Sequence, residues 1–179
     1  METYPNTFYH LYNRTNNNAA LFRTCENHGF FLKKYRFHSA EHCRTLAYCL
    51  MPTHFHFFMF ITSDDTQEFR NRYSTLLSSY TQAFNKLYGR HGALFQKRSK
   101  AKPVNDNRYA ATLAAYTHNN PVRADLVSSP EEWEFSSYRD YCSLRSGTLV
   151  EKEMILSSFS SLEEFRVFSE SIVSVEEHL

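Results

Sequence analysis

The segment His54-Phe55-His56 places two imidazoles two residues apart. On an extended strand such residues point to one side, so the pair can grip a single metal ion. Tyr116 and Asn120 lie four apart, the spacing that puts two side chains on one helix face. A phenol would then sit beside an amide oxygen able to act as a third metal ligand. Together the four residues suggest metal-assisted chemistry with tyrosine as nucleophile. Two imidazoles and one amide suit a divalent ion such as Mg²⁺ or Mn²⁺, with positions left open for phosphate oxygens; the set also accommodates zinc.

Each of these residues has a plainer reading. Histidines at the mouth of a buried strand are costly without partners, and a mutually hydrogen-bonded pair meets that need as well as a metal does. Tyr109, seven residues before Tyr116, shares its helical face and is either a competing nucleophile or a packing neighbour. His118 lies two residues after Tyr116, which turns it to a different face and points to a surface or DNA-contacting role. Tyr80 and Tyr88 fall on the apolar side of their own helix and read as core.

The elements that must position these groups follow from periodicity. Thr7 to Arg14 alternates with aromatics and reads as a strand; Glu26 to Phe37 has helical apolar spacing. Arg44 to Met51 and Phe55 to Ile61 are β-prone runs joined by Pro52-Thr53, an antiparallel pair. Asp64-Asp65 caps a long helix over Thr66 to Tyr88, with Phe69, Tyr73, Leu76, Leu77, Tyr80, Phe84 and Leu87 on one side. Leu94 to Pro103 reads as a fourth strand. Asp106 or Asn107 then caps a helix ended by Pro121. The order β-α-β-β-α-β plus a helix is an α+β, ferredoxin-like arrangement of an antiparallel sheet with packed helices. Trp133 to Tyr141 reads as a docking segment, Ser157 to Ser161 as a hinge, and Ser161 to Glu177 as a terminal amphipathic helix. The expected organisation is one domain over residues 1–146 and an acidic helical tail over 147–179.

Charge divides along the same boundary. The chain has a net charge of +1, but Gly147 to Leu179 holds two basic and seven acidic residues, leaving 18 basic and 12 acidic, net +6, for the rest. Lys86 to Arg108 carries Lys86, Arg90, Lys97, Arg98, Lys100, Lys102 and Arg108 against Asp106 alone, interleaved with Tyr88 and Phe95. Such a stretch can follow a phosphate backbone and stack bases, or form a solvated loop. Arg14, Lys97, Arg98, Lys100 and Arg123 are the candidate nucleic-acid contacts. The glutamates of the tail either cover that basic surface or solvate a helix.

With 179 residues and 42% hydrophobic content the chain can bury a core. No run approaches the roughly 18 apolar residues of a membrane span, and the N-terminus lacks a basic-then-apolar leader. The expectation is a cytoplasmic protein with no membrane partner, monomeric or homodimeric. Cys25, Cys43, Cys49 and Cys142 show no close pairing and read as reduced thiols. The sequence has no GxxxxGK[ST] phosphate loop, which agrees with a reaction that needs no ATP.

Several segments carry a family resemblance. His-Leu-Tyr-Asn-Arg (10–14), Met-Pro-Thr-His-Phe-His-Phe-Phe (51–58), Leu-Phe-Gln-Lys-Arg-Ser-Lys (94–100), Tyr-Thr-His-Asn-Asn-Pro-Val-Arg-Ala-Asp-Leu-Val (116–127) and the Trp133 to Tyr138 segment resemble, in order and spacing, the REP-associated tyrosine transposases, a branch of the single-tyrosine HUH transposases. By that resemblance His54 and His56 are the metal pair, Tyr116 the nucleophile and Asn120 the third ligand. The fold implied is again ferredoxin-like, and the substrate implied is single-stranded DNA beside imperfect-palindrome hairpins. Cutting and rejoining would proceed with a divalent metal through a 5′-phosphotyrosine. Three positions depart from the family pattern: Thr53 where asparagine is usual, Ser99 where an aromatic is common, and Asp125 where glycine is common.

Rival readings make different demands. A replication-initiator nickase of the wider HUH group commonly places lysine one turn after the tyrosine. A metal phosphodiesterase using water would tolerate Tyr116→Phe. A hairpin-binding module without catalysis would leave DNA intact, and the Lys/Arg-Gly-aromatic run of a common sheet-based RNA binder is missing.

Overall fold

The computed structural model describes residues 2–104 and 109–172. Four strands, β1 (Thr7–Arg14), β2 (Cys43–Met51), β3 (His54–Ile61) and β4 (Lys100–Val104), form one antiparallel sheet in the order β2-β3-β1-β4. Helix α1 (Cys25–Ser39) connects β1 to β2, and α2 (Thr66–Tyr88) connects β3 to β4. This is the ferredoxin-like α+β arrangement. The chain continues through α3 (Tyr109–Arg123) and the shorter α4 (Tyr138–Tyr141), α5 (Glu153–Leu156) and α6 (Leu162–Ser171).

Strand alternation decides which layer each residue joins. Tyr9 and Leu11 of β1 and Phe55, Phe57, Met59 and Ile61 of β3 pack against Phe31 and Tyr35 of α1 and Phe69, Tyr73, Leu76 and Tyr80 of α2. The opposite face carries Phe58 and Phe60, and α3 closes over it with Leu113, Ala114 and Tyr116. Helix α2 starts and stops where its sequence demands. Asp65 accepts from the Glu68 backbone N–H at 2.8 Å, and Gly89 takes the left-handed conformation at φ 61° that a side chain would resist.

Two boundaries differ clearly from expectation. The fourth strand begins at Lys100 rather than Leu94; Thr15 and Phe95 form only an isolated bridge ahead of it. Pro121 lies inside α3 rather than ending it. The N–H missing at Pro121 would have bonded to the Thr117 carbonyl, and Asn120 Nδ2 donates there instead at 3.2 Å, so the helix carries on to Arg123. Of the terminal helix expected over Ser161 to Glu177, the described residues form Leu162–Ser171, capped by Ser161, whose hydroxyl accepts from Glu164 N. The expected caps Asp106 and Asn107, as well as Arg108, Glu176 and Glu177, lie outside the described residues.

The Trp133 to Tyr141 stretch seals the free edge of β2. Leu50 N donates to Phe135 O, Ser137 N to Tyr48 O, and Trp133 Nε1 to Leu50 O. Helix α6 lies on the outer side of α3, where Phe165 is fully buried and Asn119 Nδ2 donates to Ser169 O at 2.7 Å. Glu163, Glu164 and Glu170 stay exposed. No described helix is long and apolar enough to cross a membrane.

Candidate active site

Pairing of β1 with β3 sets Arg14 opposite His54, Tyr12 opposite His56 and His10 opposite Phe58. All lie on the face covered by α3, whose last turns bring Tyr116 and Asn120 down onto the same end of the sheet. The result is a cleft of about 360 Å³ lined by His10, Tyr12, Asn13, Arg14, Thr53, His54, His56, Tyr116 and Asn120. The predicted quartet of His54, His56, Tyr116 and Asn120 is therefore assembled in one place, 60 residues and two elements apart in sequence.

Each polar side chain is held by a neighbour that limits how it presents itself. His54 Nδ1 lies 3.1 Å from Thr53 Oγ1, and His56 Nδ1 lies 2.9 Å from His10 Nε2. Both rings thus spend Nδ1 inside the protein and keep Nε2 for the cleft they line. Asn120 donates through Nδ2 to the carbonyls of Tyr116, at 3.1 Å, and Thr117. Carbonyls only accept, so this fixes the amide orientation and leaves Oδ1 as an acceptor. Arg123 holds its guanidinium carbon 5.1 Å from the centre of the Tyr116 ring, a cation–π approach.

The imidazoles are held neutral. Burial pulls His10 down to about 4, with Lys102 adding to the effect; burial and then Arg14 lower His54; burial, His10 and His54 hold His56 well below its ordinary value. Neutral imidazole is the form that binds a metal. Among the described residues no trio of His, Cys, Asp or Glu is arranged as a metal site, so the available donors are the two histidines and the amide oxygen. That set fits a divalent ion with open positions. Among the described residues no carboxylate lines the cleft, while Arg14 lines it and Arg123 and Lys102 stand beside lining residues, so its field favours an anion.

The DNA-contact candidates separate into two groups. Arg14 lines the cleft, Arg123 stands over Tyr116, and Lys100 approaches the Tyr12 ring at 5.9 Å. Lys97 and Arg98 do not line it. They border a second depression with Gln67, Arg70 and Asn71 of α2, which meets the first at Asn13. Asn13 donates to Ser99 Oγ at 2.7 Å, and Tyr73 donates to the same oxygen at 2.9 Å. Ser99 thus ties β1 to α2.

His118 is not at the surface. It is fully buried, bonded to Ser137 Oγ at 2.8 Å and ringed by Tyr138, Tyr141 and Phe165. The face it occupies is covered by α4 and α6, so it touches neither cleft nor solvent. Tyr109 is outside the cleft lining and packs with the α3 core. The residues that sequence reasoning missed are His10 and Tyr12. Their alternation with Arg14 on one strand face was visible, but their neighbour across the sheet was not.

No protein-family model matches the chain. A protein of Haemophilus influenzae assigned by name to the REP-associated tyrosine transposases is 23% identical over 129 residues, 67% of this chain. The match spans 65% of that relative's length. A solved structure of a REP-associated tyrosine transposase bound to a REP hairpin superimposes with a TM-score of 0.64 at 18% identity, covering 80% of this chain and 84% of that one. The chain resembles the REP-associated tyrosine transposases in both sequence and fold. The structural likeness agrees with the ferredoxin-like fold.

Proposed function

We propose that the chain is a metal-dependent transposase of single-stranded DNA, cutting and rejoining strands beside a hairpin through a phosphotyrosine. The observation that carries this reading is the convergence of His54, His56, Asn120 and Tyr116 on one cation-flanked cleft. His54, His56 and Asn120 would hold Mg²⁺ or Mn²⁺. Bound there, the ion supplies charge neutralisation and alignment at the scissile phosphate.

The remaining chemistry belongs to the chain. Tyr116 Oη attacks the phosphorus in line; the bond to the 3′ oxygen breaks as the new P–O bond forms. The phenol loses its proton and the departing 3′ oxygen gains one. Arg123, over the ring, stabilises the negative charge that develops on the phenol, and Arg14 holds the phosphate at the rim. The phosphodiester energy is retained in the tyrosyl ester. Attack by a second 3′-hydroxyl restores the phenol without ATP.

Hairpin DNA is the partner named for the structural neighbour, and the same partner suits this chain's charge. Arg14, Lys100 and Arg123 flank the cleft, and Lys97 and Arg98 extend a basic path past Asn13. Phosphate contacts along such a path set affinity, while hairpin shape and unpaired bases set specificity.

The test is incubation of purified protein with a labelled hairpin oligonucleotide carrying single-stranded flanks, in Mn²⁺. A denaturation-resistant protein–DNA species mapping to Tyr116, lost in Tyr116→Phe, is expected. Cleavage that survives Tyr116→Phe would replace this reading with water-mediated hydrolysis, and binding without any cleavage would replace it with a hairpin-binding module.

A further inference from the structure

His10 and His56 are closely coupled side chains in the cleft. Their nitrogens are 2.9 Å apart, His10 is 6% and His56 8% exposed, and the rings lie 5.1 Å apart at an interplanar angle of 23°. Tyr12 stacks on His56 as well, at 5.6 Å and 25°. The geometry points to His10 as a positioning residue that accepts a hydrogen bond from His56 Nδ1–H and so presents the unprotonated Nε2 of His56 to the metal. This rests on the proposed function and assigns His10 a task within it.

The argument is one of proton bookkeeping on two neutral rings. A neutral imidazole carries one N–H, and a metal takes the nitrogen that lacks it. The contact between His10 Nε2 and His56 Nδ1 holds a single proton. If His56 supplies it, His56 Nε2 is a free donor pair facing the cleft; if His10 supplies it, His56 Nε2 bears the proton and cannot ligate. Metal-bound histidines generally hand their second N–H to a carboxylate or carbonyl. Among the described residues no Asp or Glu lines this cleft, and β1 puts an imidazole where that acceptor is needed.

Packing alone does not call for histidine at position 10. The next residue along this face is Phe8, whose ring packs at a tilt against Phe58 and Phe60 at 5.8 and 4.7 Å, and His10 lies opposite Phe58. A phenylalanine would continue that apolar row. The polar ring begins where His56 begins, at the boundary between the apolar half of the face and the cleft.

The tautomers are read by ¹⁵N NMR of metal-free wild-type protein, and Mn²⁺ affinity by electron paramagnetic resonance titration of wild type, His10→Phe and His10→Gln. The expected results are a proton on Nδ1 of His56, a loss of Mn²⁺ affinity of about 10–100-fold in His10→Phe, and recovery of most of it in His10→Gln, whose carboxamide oxygen can accept. A proton on Nε2 of His56 in the wild type overturns the assignment whatever the variants do, and it needs no variant to fold. Wild-type Mn²⁺ affinity retained in folded His10→Phe overturns it too, while leaving the metal site standing. A wild type that binds no Mn²⁺ removes the metal site itself and the role of His10 with it.

Discussion

The two faces of the sheet are built from alternate residues of the same strands, yet they differ in kind. Against α1 and α2 every inward residue of β3 is apolar, and Phe55, Phe57, Met59 and Ile61 are all fully buried. Against α3 the same strand runs from Phe60 and Phe58 to His56 and His54, and β1 runs beside it from Phe8 to His10, Tyr12 and Arg14. One face is core from end to end; the other is core at one end and reactive at the other. The layer against α1 and α2 is apolar throughout, while the opposite face holds desolvated imidazoles and an open cleft beside its own apolar cluster.

Substitutions at equivalent depth on the two faces test this division. Phe57 stacks on Tyr35 with ring centroids 3.8 Å apart. Phe57→Ala should cost about 3–5 kcal/mol and lower Tm by on the order of 10 °C. His54→Ala, on a half-buried residue at the rim, should change stability by less than about 1 kcal/mol. It should nevertheless reduce strand cleavage by at least roughly 100-fold if several kcal/mol of transition-state stabilisation leave with the ligand. Thermal melts and single-turnover cleavage on both variants read the contrast. A His54→Ala protein that melts as far below wild type as Phe57→Ala does would make the histidine a packing residue.

A good part of this layout is legible in the sequence, and what is not has identifiable causes. The His-x-His pair and the i,i+4 spacing of Tyr116 and Asn120 are local patterns, and both survive folding intact. His10 depends on sheet register, which local alternation does not supply. The burial of His118 depends on α3 being covered on two sides, by the sheet and by the chain after residue 136, whereas helical periodicity leads one to expect a single buried face. Pro121 reads as a stop because its missing N–H breaks the ladder. The Asn120 side chain repairs that break, and in the same act fixes the amide that faces the cleft.

His118 also gives the division a pH signature. Burial lowers it to about 3 in the folded protein, against an ordinary value near 6.5. Below 6.5 the unfolded chain takes up a proton that the folded one refuses, so stability should fall as pH drops from about 6.5 towards 3. The slope from one such group is at most about 1.4 kcal/mol per pH unit. Urea unfolding at pH 7, 6 and 5 should show this loss in wild type and a shallower one in His118→Phe. His10 contributes to the part that remains, since it is lowered to about 4. Equal slopes in the two proteins would mean that His118 is protonated inside the fold, in conflict with its apolar ring of neighbours.

The smallest effect belongs to the end of α3, where Asp125 stands at a left-handed position that favours glycine. Its φ is 54°. The hydrogen bonds around it, Asp125 N to Val122 O and Leu126 N to Pro121 O, are the two of a Schellman motif with Asp125 as its left-handed residue. Glycine is preferred there for conformation alone, since a Cβ crowds the backbone and aspartate only partly escapes the penalty. Asp125→Gly should therefore raise stability by about 0.5–1 kcal/mol, a Tm increase of roughly 2–4 °C at most, less whatever the greater freedom of glycine in the unfolded chain takes back. The side chain is exposed and two residues from Arg123. Removing its charge should then strengthen hairpin binding by no more than about twofold in physiological salt, where exposed charges are screened. A rise in Tm with nearly constant affinity places Asp125 with the scaffold; an affinity change of tenfold or more with no change in Tm would move the boundary of the DNA-binding face past the end of α3.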